Sequence, residues 1–389
     1  MNCFFERNIR SVPNKSFFLF GPRGSGKSTF LRQHYPLDNN IFFDLLNPEL
    51  VHEFSLSPNR FKAIVSLPEN REKTIIVDEI QKIPKLLDIV HQLIVNEKRT
   101  FILTGSSARR LKQKGVNLLA GRAFIFNLYP FSSQELSSSF KLEKALVQGL
   151  LPESYLSESA QDSQEYLKAY CFTYLEKEIQ QEQWVRKLDP FRRFLEIAAQ
   201  SNGQVVNRAK IARDTGVDDM TIQNYYEILE DTLLGFFLPA HHRSVRKQQQ
   251  LAPKFFLIDM GIRHALAREL SIPLQTGTYA FGKAFEHFII LEFRKRIEYA
   301  RKEWQMSYLR TKDGAEIDLI ITRAGEPTAV IEIKSKNKVS THDVKHLKTL
   351  GKDADAETDC FLLSLDPLEQ HFDGICACYW EDGLKKIGL

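Results

Sequence analysis

The sequence predicts an α/β protein with a parallel-sheet domain first, a helical middle region and a second α/β domain at the end. Three observations predict this order. Apolar strand-like runs alternate with helical segments between residues 16 and 131, helical patterns dominate residues 132–250, and strand-like runs return beyond residue 300. A chain of 389 residues is long for a single hydrophobic core, so we expect two or three domains.

A glycine-rich turn follows the first predicted strand, Phe17–Phe20, and precedes a helical segment. Such a turn lets several backbone N–H groups converge on an anion, and the helix N-terminus adds partial positive charge. Lys27 supplies a point charge for the β- and γ-phosphates of ATP, and the Ser28 hydroxyl is a ligand for Mg²⁺. The predicted nucleotide-binding residues of this turn are Gly21, Pro22, Arg23, Gly24, Ser25, Gly26, Lys27, Ser28 and Thr29.

A later apolar strand, Thr74–Val77, runs into two acids. We expect Asp78 to orient the Mg²⁺ ion and Glu79 to polarise the attacking water as a general base. The strand-like run Asn40–Asp44 lies between the two motifs, so the strand before the glycine-rich turn and the acidic strand need not be neighbours in the sequence. That arrangement is typical of NTPases that use a catalytic glutamate.

The next apolar run ends in Thr104, Gly105, Ser106 and Ser107 at the same predicted sheet edge. Thr104 or Ser106 is placed to sense the γ-phosphate, and the alternative is that a serine caps the following helix. Three arginines follow, of which one is predicted to act as an arginine finger in a neighbouring subunit's site, with Arg122 as the catalytic candidate: Arg109, Arg110 and Arg122. The alternative for each of them is a solvated surface position.

Together these motifs resemble AAA+-type bacterial and archaeal ATPases that carry a conserved C-terminal region. The segments that carry the resemblance are the glycine-rich turn, Val77–Gln81, Leu103–Ser107, Gly121–Arg122, Tyr129–Phe131, Ala252–Gly261 and Gly282–Glu286. The resemblance implies an ATPase core over residues 1–131 and assembly into rings with ATP sites at the subunit interfaces.

The middle of the chain predicts a helical lid or connector over residues 132–189 and a winged helix over residues 190–250. A helix beginning near Met220 is placed to enter the DNA major groove, with four residues predicted to face bases or phosphates: Thr221, Gln223, Asn224 and Tyr225. A basic run follows that is predicted to contact DNA phosphates: Arg243, Arg246 and Lys247, with Lys254 at its end. The alternatives are a structural spacer and a solvated basic loop.

The last region, residues 251–389, contains a spaced set of acids and a lysine. Asp313–Gly314 predicts the turn of a β-hairpin, and alternation along the strand Ala329–Lys334 puts Glu332 and Lys334 on one face, where Asp318 can meet them. The set resembles the PD-(D/E)xK nuclease superfamily, with Ile317 where that pattern has proline. The resemblance implies a restriction-endonuclease-like fold that binds Mg²⁺ or Mn²⁺.

On this interpretation Asp318 and Glu332 hold the metal, Lys334 positions the attacking water, and Glu286 adds a carboxylate from the preceding helix. Two alternatives remain open. The Glu-x-Lys strand is a solvated sheet face, or the fold binds DNA without cutting it.

Composition restricts the class of protein. The formal net charge is +4, 43% of residues are hydrophobic, and no apolar run approaches the roughly 20 residues of a membrane span, so we expect a cytoplasmic protein with no membrane partner. The five cysteines form no Cys-x-x-Cys pair. Cys376 and Cys378 alternate within a predicted strand, where we favour ordinary packing over metal binding. For His342 and His346 we favour a solvated helix face over metal binding.

The sequence therefore predicts an ATP-hydrolysing, DNA-processing homo-oligomer with a metal-dependent nuclease-like domain. The alternative is a regulatory NTPase switch whose nuclease-like fold binds DNA or a protein partner without cleaving.

Overall fold

The computed structural model describes residues 5–10, 12–106, 119, 121–175, 185, 188–242, 244, 248, 251–311, 313–355 and 357–389. Its backbone separates into two compact units. The first contains the described residues up to Phe131 together with Glu227–Leu234, and the second contains Ser132–Tyr226 and Gly235–Leu389.

A five-stranded, fully parallel sheet forms the first unit. Its strands are β1 (Phe17–Phe20), β2 (Asn40–Asp44), β3 (Thr74–Asp78), β4 (Phe101–Gly105) and β5 (Phe124–Asn127), in the order β2-β3-β4-β1-β5. Its helices are α1 (Lys27–His34), α2 (Pro48–Leu56), α3 (Pro58–Val65) and α4 (Leu86–Glu97). The prediction of a parallel α/β domain is confirmed, and strand β4 lies between β3 and β1, the strand that precedes the glycine-rich turn.

This strand order positions the first candidate site. Strand β1 lies between β4 and β5, whereas the chain leaving β1 continues to β2 at the far edge of the sheet. In parallel sheets, ligands bind beyond the carboxyl ends of strands where the strand order reverses in this way. Strands β1, β3 and β4 are buried along their whole length except at Thr74, as expected for apolar strands covered on both faces.

The second unit begins with short helices. They are α5 (Ser133–Leu136), α6 (Leu142–Gln148), α7 (Pro152–Tyr155) and α8 (Ala160–Ala169), followed by a π-helical turn, Tyr170–Leu175. A capping box starts α5, in which the Ser132 hydroxyl accepts from the Glu135 amide and the Glu135 carboxylate accepts from the Ser132 amide.

Three helices and two strands follow along the chain. The elements are α9 (Leu188–Gln200), α10 (Arg208–Thr215), α11 (Asp219–Asp231), β6 (Gly235–Leu238) and β7 (Lys254–Leu257). Strand β6 pairs antiparallel with β7. The boundary between the two compact units falls within α11.

A six-stranded sheet completes the second unit. Its strands are β8 (Gln305–Arg310), β9 (Glu316–Thr322), β10 (Thr328–Lys334), β11 (Thr358–Ser364), β12 (Gln370–Phe372) and β13 (Ile375–Tyr379), in the order β12-β13-β11-β10-β9-β8. The accompanying helices are α12 (Met260–Leu266), α13 (Tyr279–Tyr299), α14 (Lys345–Ala354) and α15 (Trp380–Ile387). The predicted hairpin is present as the antiparallel pair β8–β9.

Among the described residues, none of the helices combines the length and the apolar character needed to cross a membrane.

Candidate functional site

The glycine-rich turn has the backbone of an anion-binding loop. Gly24 and Gly26 adopt left-handed φ angles of 74° and 92°, a region that side chains with a Cβ rarely enter, and Gly26 is the residue that precedes helix α1. The Lys27 ammonium is buried and donates to the Gly21 carbonyl at 2.8 Å and the Pro22 carbonyl at 3.2 Å. The lysine therefore lies across the loop at the point where phosphate oxygens would bind.

Arg7 supports this loop from outside the motif. Its guanidinium is 8% exposed, donates to the Ser25 carbonyl at 2.9 Å and to the Tyr129 carbonyl, and lies 5.0 Å from the centre of the Phe131 ring. Hydrogen bonds to a buried charged group are among the stronger ones in proteins. Arg7 thus fixes the loop to the segment that follows β5.

Asp78 is the centre of a buried polar network at the ends of strands β3 and β4. Its carboxylate accepts from the Ser28 hydroxyl at 2.9 Å and from the Thr104 hydroxyl, and the Thr104 oxygen also accepts from the Glu79 amide at 3.1 Å. The structure therefore places the predicted γ-phosphate sensor Thr104, which is fully buried, against Asp78. Ser28 and Asp78 offer adjacent hard oxygen donors, a set that fits Mg²⁺.

Glu79 has an unusual backbone and a fixed side chain. Its φ of 59° places a non-glycine residue in the left-handed region, where such strain is often found at functional sites. The Gln81 amide donates to the Glu79 carboxylate and to the Ser106 hydroxyl at 3.3 Å, so the glutamate is held at the strand end beside Asp78. This arrangement suits a base that must act on a water in one position.

The remaining nucleotide predictions lie in different surroundings. Arg23, Gly24 and Thr29 are exposed on the loop and the first turn of α1. Arg122 is exposed at the turn before β5, and Arg109 and Arg110 lie outside the described residues.

The C-terminal acids also come together. Glu286 on α13 and Asp318 on β9 offer oxygens within 4.8 Å of one another and of a third carboxylate, Glu316, which the sequence had not predicted. Glu332 on β10 is 3% exposed and accepts from Lys334 at 2.5 Å, while Asp318 accepts from the Ile333 amide at 2.8 Å. Alternation along β9 and β10 accounts for this convergence on one face.

Two further lysines contact this carboxylate cluster, defined here as Glu286, Glu316, Asp318 and Glu332. Lys254, the first residue of strand β7, is 1% exposed, lies 3.6 Å from Glu286, donates to Glu316 and faces the Tyr308 ring at 4.9 Å. It is therefore not a solvated end of the basic run. Lys283 donates to Glu286 at 2.7 Å.

Burial and mutual repulsion set the protonation of the cluster. Burial raises the pKa of Asp318 well above its ordinary value, and the Glu286 and Glu332 carboxylates raise it further. Burial also raises the pKa of Glu332. Burial alone would lower the pKa of Lys334, but the carboxylates of Glu332 and Asp318 outweigh it and raise that pKa.

Two carboxylate oxygens in the cluster are buried without a hydrogen-bond partner in the described part of the chain: Glu332 Oε2, and Glu286 Oε1, which faces the Lys254 ammonium at 3.6 Å. Buried oxygens of this kind are costly unless a cation or donor satisfies them. The residues present therefore fit a divalent cation, with hard oxygen donors that suit Mg²⁺ or Mn²⁺.

The predicted DNA-reading helix is α11. Thr221 donates to Asp218 at 2.8 Å, Gln223 accepts from Arg208 at 2.7 Å, and Asn224 is exposed. The prediction that Tyr225 faces DNA is wrong. Its ring is 6% exposed and packs on Phe191 at 4.9 Å, because the helix needs that face for the aromatic core.

Helix α11 is also acidic. It carries Asp219, Glu227, Glu230 and Asp231 and has no lysine or arginine, which opposes approach to phosphates. The basic residues Arg243, Arg246 and Lys247 lie outside the described residues.

Family models cover the chain in three parts. Residues 13–137 match the model described as an AAA domain, residues 139–273 match a domain of unknown function, DUF8612, and residues 281–378 match another, DUF4143. The N-terminal parallel-sheet domain is thus similar to AAA domains.

Two curated relatives show the same extent of similarity. They are the uncharacterized protein Rv2008c of Mycobacterium tuberculosis and the uncharacterized protein Mb2031c of Mycobacterium bovis. Each is 26% identical over 312 residues, which is 79% of this chain and 68% of the relative.

Similar solved structures include a half-complex of Thermococcus gammatolerans McrB AAA+ hexamers with bound McrC, at 11% identity and a TM-score of 0.26, covering 68% of this chain and 80% of that one. Drosophila ORC bound to AT-rich DNA and Cdc6 matches at 12% identity and a TM-score of 0.20, covering 66% of this chain and 86% of that one. These low scores do not bear on the activity of the present chain.

Sequence reasoning missed several residues that build the two sites: Arg7, Gln81, Lys254, Lys283 and Glu316. Gln81 and Glu316 lie within two residues of a predicted site residue, and Lys283 lies one helical turn before Glu286. Proximity was therefore an available signal for those three. Arg7 and Lys254 are brought in only by tertiary packing.

Proposed function

We propose that this chain hydrolyses ATP and uses the reaction to act on DNA, with the carboxylate cluster as a metal-dependent phosphodiesterase site. The DNA part of the proposal rests on one observation, the convergence of Glu286, Glu316, Asp318 and Glu332 beside Lys334, in which Glu332 Oε2 is buried without a hydrogen-bond partner among the described residues. Phosphodiester hydrolysis needs hard oxygen ligands for a metal and a cation near the phosphate, and this set supplies both.

The ATPase part is supported by the loop and the network around Asp78. Lys27 and the loop amides would bind the β- and γ-phosphates, Ser28 and Asp78 would hold Mg²⁺, and Glu79 would accept a proton from the attacking water. Bound Mg²⁺ would neutralise charge that develops on the phosphoryl oxygens. Gln81 keeps the Glu79 carboxylate in place for that proton transfer.

At the carboxylate cluster, Glu286, Asp318 and Glu332 would hold Mg²⁺ or Mn²⁺, and Lys334 would position the water or the scissile phosphate. The metal would supply Lewis-acid polarisation of a phosphate oxygen. Water would then add to phosphorus as the bond to the leaving oxygen breaks, and the proton that the water loses would balance the proton that the leaving oxygen gains to become a hydroxyl.

A second candidate function is supported by Lys254 and Lys283. These lysines already pair with Glu286, and Lys254 also pairs with Glu316, so part of the negative charge is balanced without a metal. A cluster neutralised in this way would bind DNA or a protein partner without cutting, under control of the ATPase domain. Metal-dependent nicking by the purified chain distinguishes the two functions.

We further propose that DNA binding uses the basic run of the wing. Replacing Arg243, Arg246 and Lys247 together with alanine should weaken binding to all sequences similarly and reduce the slope of log affinity against log salt by about 0.9 for each phosphate that the protein no longer neutralises. The control is the charge-matched triple replacement of Arg60, Arg71 and Lys73 in the N-terminal unit, which should leave the slope unchanged. An unaltered slope in the wing variant would place the DNA path elsewhere.

Assembly into a homo-oligomer, with Arg122 acting in a neighbouring subunit's ATP site, remains a proposal drawn from the family resemblance. Arg122→Ala should then lower the rate of hydrolysis far more than the affinity for ATP. Mixing this variant with Lys27→Ala chains should restore part of the ATPase rate through hybrid interfaces. A monomer that hydrolyses ATP normally would contradict the proposal.

A further inference from the structure

The edge hairpin β12–β13 carries a group of potential metal ligands that belongs to neither site described above. The two strands pair with His371 directly opposite Cys376. Between them, Asp373 and Gly374 have φ angles of 51° and 87°, which is the backbone of a tight two-residue hairpin turn. This turn fixes the register, and the register places the imidazole and the thiol on the same face of the sheet.

A carboxylate completes the group. Glu369 Oε1 lies 3.2 Å from His371 Nε2 and 3.8 Å from Cys376 Sγ, and one donor atom from each of the three residues lies within 4.8 Å of the others. In a tetrahedral Zn²⁺ site with ordinary bond lengths, neighbouring ligand atoms are roughly 3.3–3.6 Å apart. The two separations from Glu369 are close to those edges, and the His371 and Cys376 donor atoms lie within 4.8 Å of each other, so a small movement would bring all three onto one ion.

The chemistry of the donors selects the metal. One thiol, one imidazole and one carboxylate suit Zn²⁺, whereas Mg²⁺ prefers oxygen ligands alone. The Cys378 thiol, two residues along the same face, hydrogen-bonds to Cys376 and is buried. It lies outside the three-ligand group, so the fourth coordination position would belong to water.

We propose that Glu369, His371 and Cys376 form a Zn²⁺ site that fixes the edge hairpin β12–β13. The hairpin contains the outermost strand of its sheet, where pairing on one side only leaves the strand weakly held. A bound ion would link residues on both strands and the segment before them. Lys386 lies 3.0 Å from Glu369 Oε1, so its ammonium occupies the carboxylate that a bound ion would take over.

The test uses Co²⁺ as a spectroscopic substitute for Zn²⁺ on the full-length chain, with Mg²⁺ in excess to fill the oxygen-ligand sites. One equivalent of Co²⁺ should give thiolate-to-cobalt absorption that Zn²⁺ abolishes. Cys376→Ser should lose this band, and His371→Ala should weaken binding at least tenfold. Cys360→Ser, which removes another partly buried strand cysteine, should keep it.

Lys386→Met tests the site through an expected increase in metal affinity. It removes the competing ammonium, so Co²⁺ and Zn²⁺ should bind more tightly while the hairpin residues remain intact. The proposal is overturned if the unaltered chain shows no thiolate-to-cobalt band, or if Cys376→Ser, with an unchanged circular dichroism spectrum, retains it.

Discussion

Replacing Lys27 with alanine is expected to abolish ATP binding, and replacing Glu79 with glutamine is expected to leave binding intact while stopping hydrolysis. Lys27 lies across the phosphate loop with its ammonium on two loop carbonyls, so its loss removes the charge that would hold the β- and γ-phosphates. Glu79→Gln keeps the size of the side chain but cannot accept the proton, which should lower kcat by about 10²- to 10⁴-fold.

The measurement is ATP affinity by equilibrium binding alongside single-turnover hydrolysis. The matched control is Glu69→Gln, an exposed glutamate of the same unit, which should behave as the unaltered chain. Full turnover by Glu79→Gln would remove this residue from the catalytic role, and normal ATP affinity in Lys27→Ala would remove the loop from nucleotide binding.

The second large effect is expected at the carboxylate cluster. Asp318→Ala and Glu332→Ala should each abolish metal-dependent nicking of DNA, because either change removes a hard oxygen ligand. ATP hydrolysis should survive, since its residues lie in the other unit. Asp318→Asn and Glu332→Gln should have the same effect with less risk to folding, and exposed Glu357→Gln is the control.

The pH dependence of metal binding is a second test of the carboxylate cluster. Because burial and the neighbouring acids raise the pKa of Asp318, the folded chain holds a proton there at a pH where an ordinary aspartate is ionised. A metal must displace that proton, so affinity for Mn²⁺ should increase as the pH rises through the raised pKa. If no form of DNA is cut with Mg²⁺ or Mn²⁺, with or without ATP, the nuclease proposal is wrong. The second candidate function, binding of DNA or a protein partner without cleavage, is then favoured.

The candidate site residues of the first unit were largely predictable because most of them lie at the ends of strands. The apolar residues before Gly21 and those before Asp78 each predict a buried strand that ends at a polar turn. In a parallel sheet such strand ends lie at the same edge. The network that connects Ser28, Asp78 and Thr104 follows from that edge. Its support by Arg7 did not follow, because an isolated arginine before the first strand carries no periodic signal.

In the second unit, alternation predicted which face Glu332 and Lys334 share, and the hairpin turn predicted how Asp318 reaches them. Alternation could not predict Lys254, whose position depends on β6 pairing with a strand that begins 16 residues after β6 ends, at Lys254 itself. The prediction for Tyr225 was wrong for a related reason. Helical spacing is the same for a residue that faces DNA and for one that faces an aromatic core.

If ATP hydrolysis by this chain serves work on DNA, as we propose, the ATPase rate should respond to DNA. The steady-state rate would be measured alone and with single-stranded, duplex and branched DNA, with Lys27→Ala as the blank. We expect at least one duplex or branched form to raise the rate severalfold, and the wing variant to need more DNA to reach the same stimulation. A slow rate that no DNA form changes would contradict the proposed function and favour a regulatory switch.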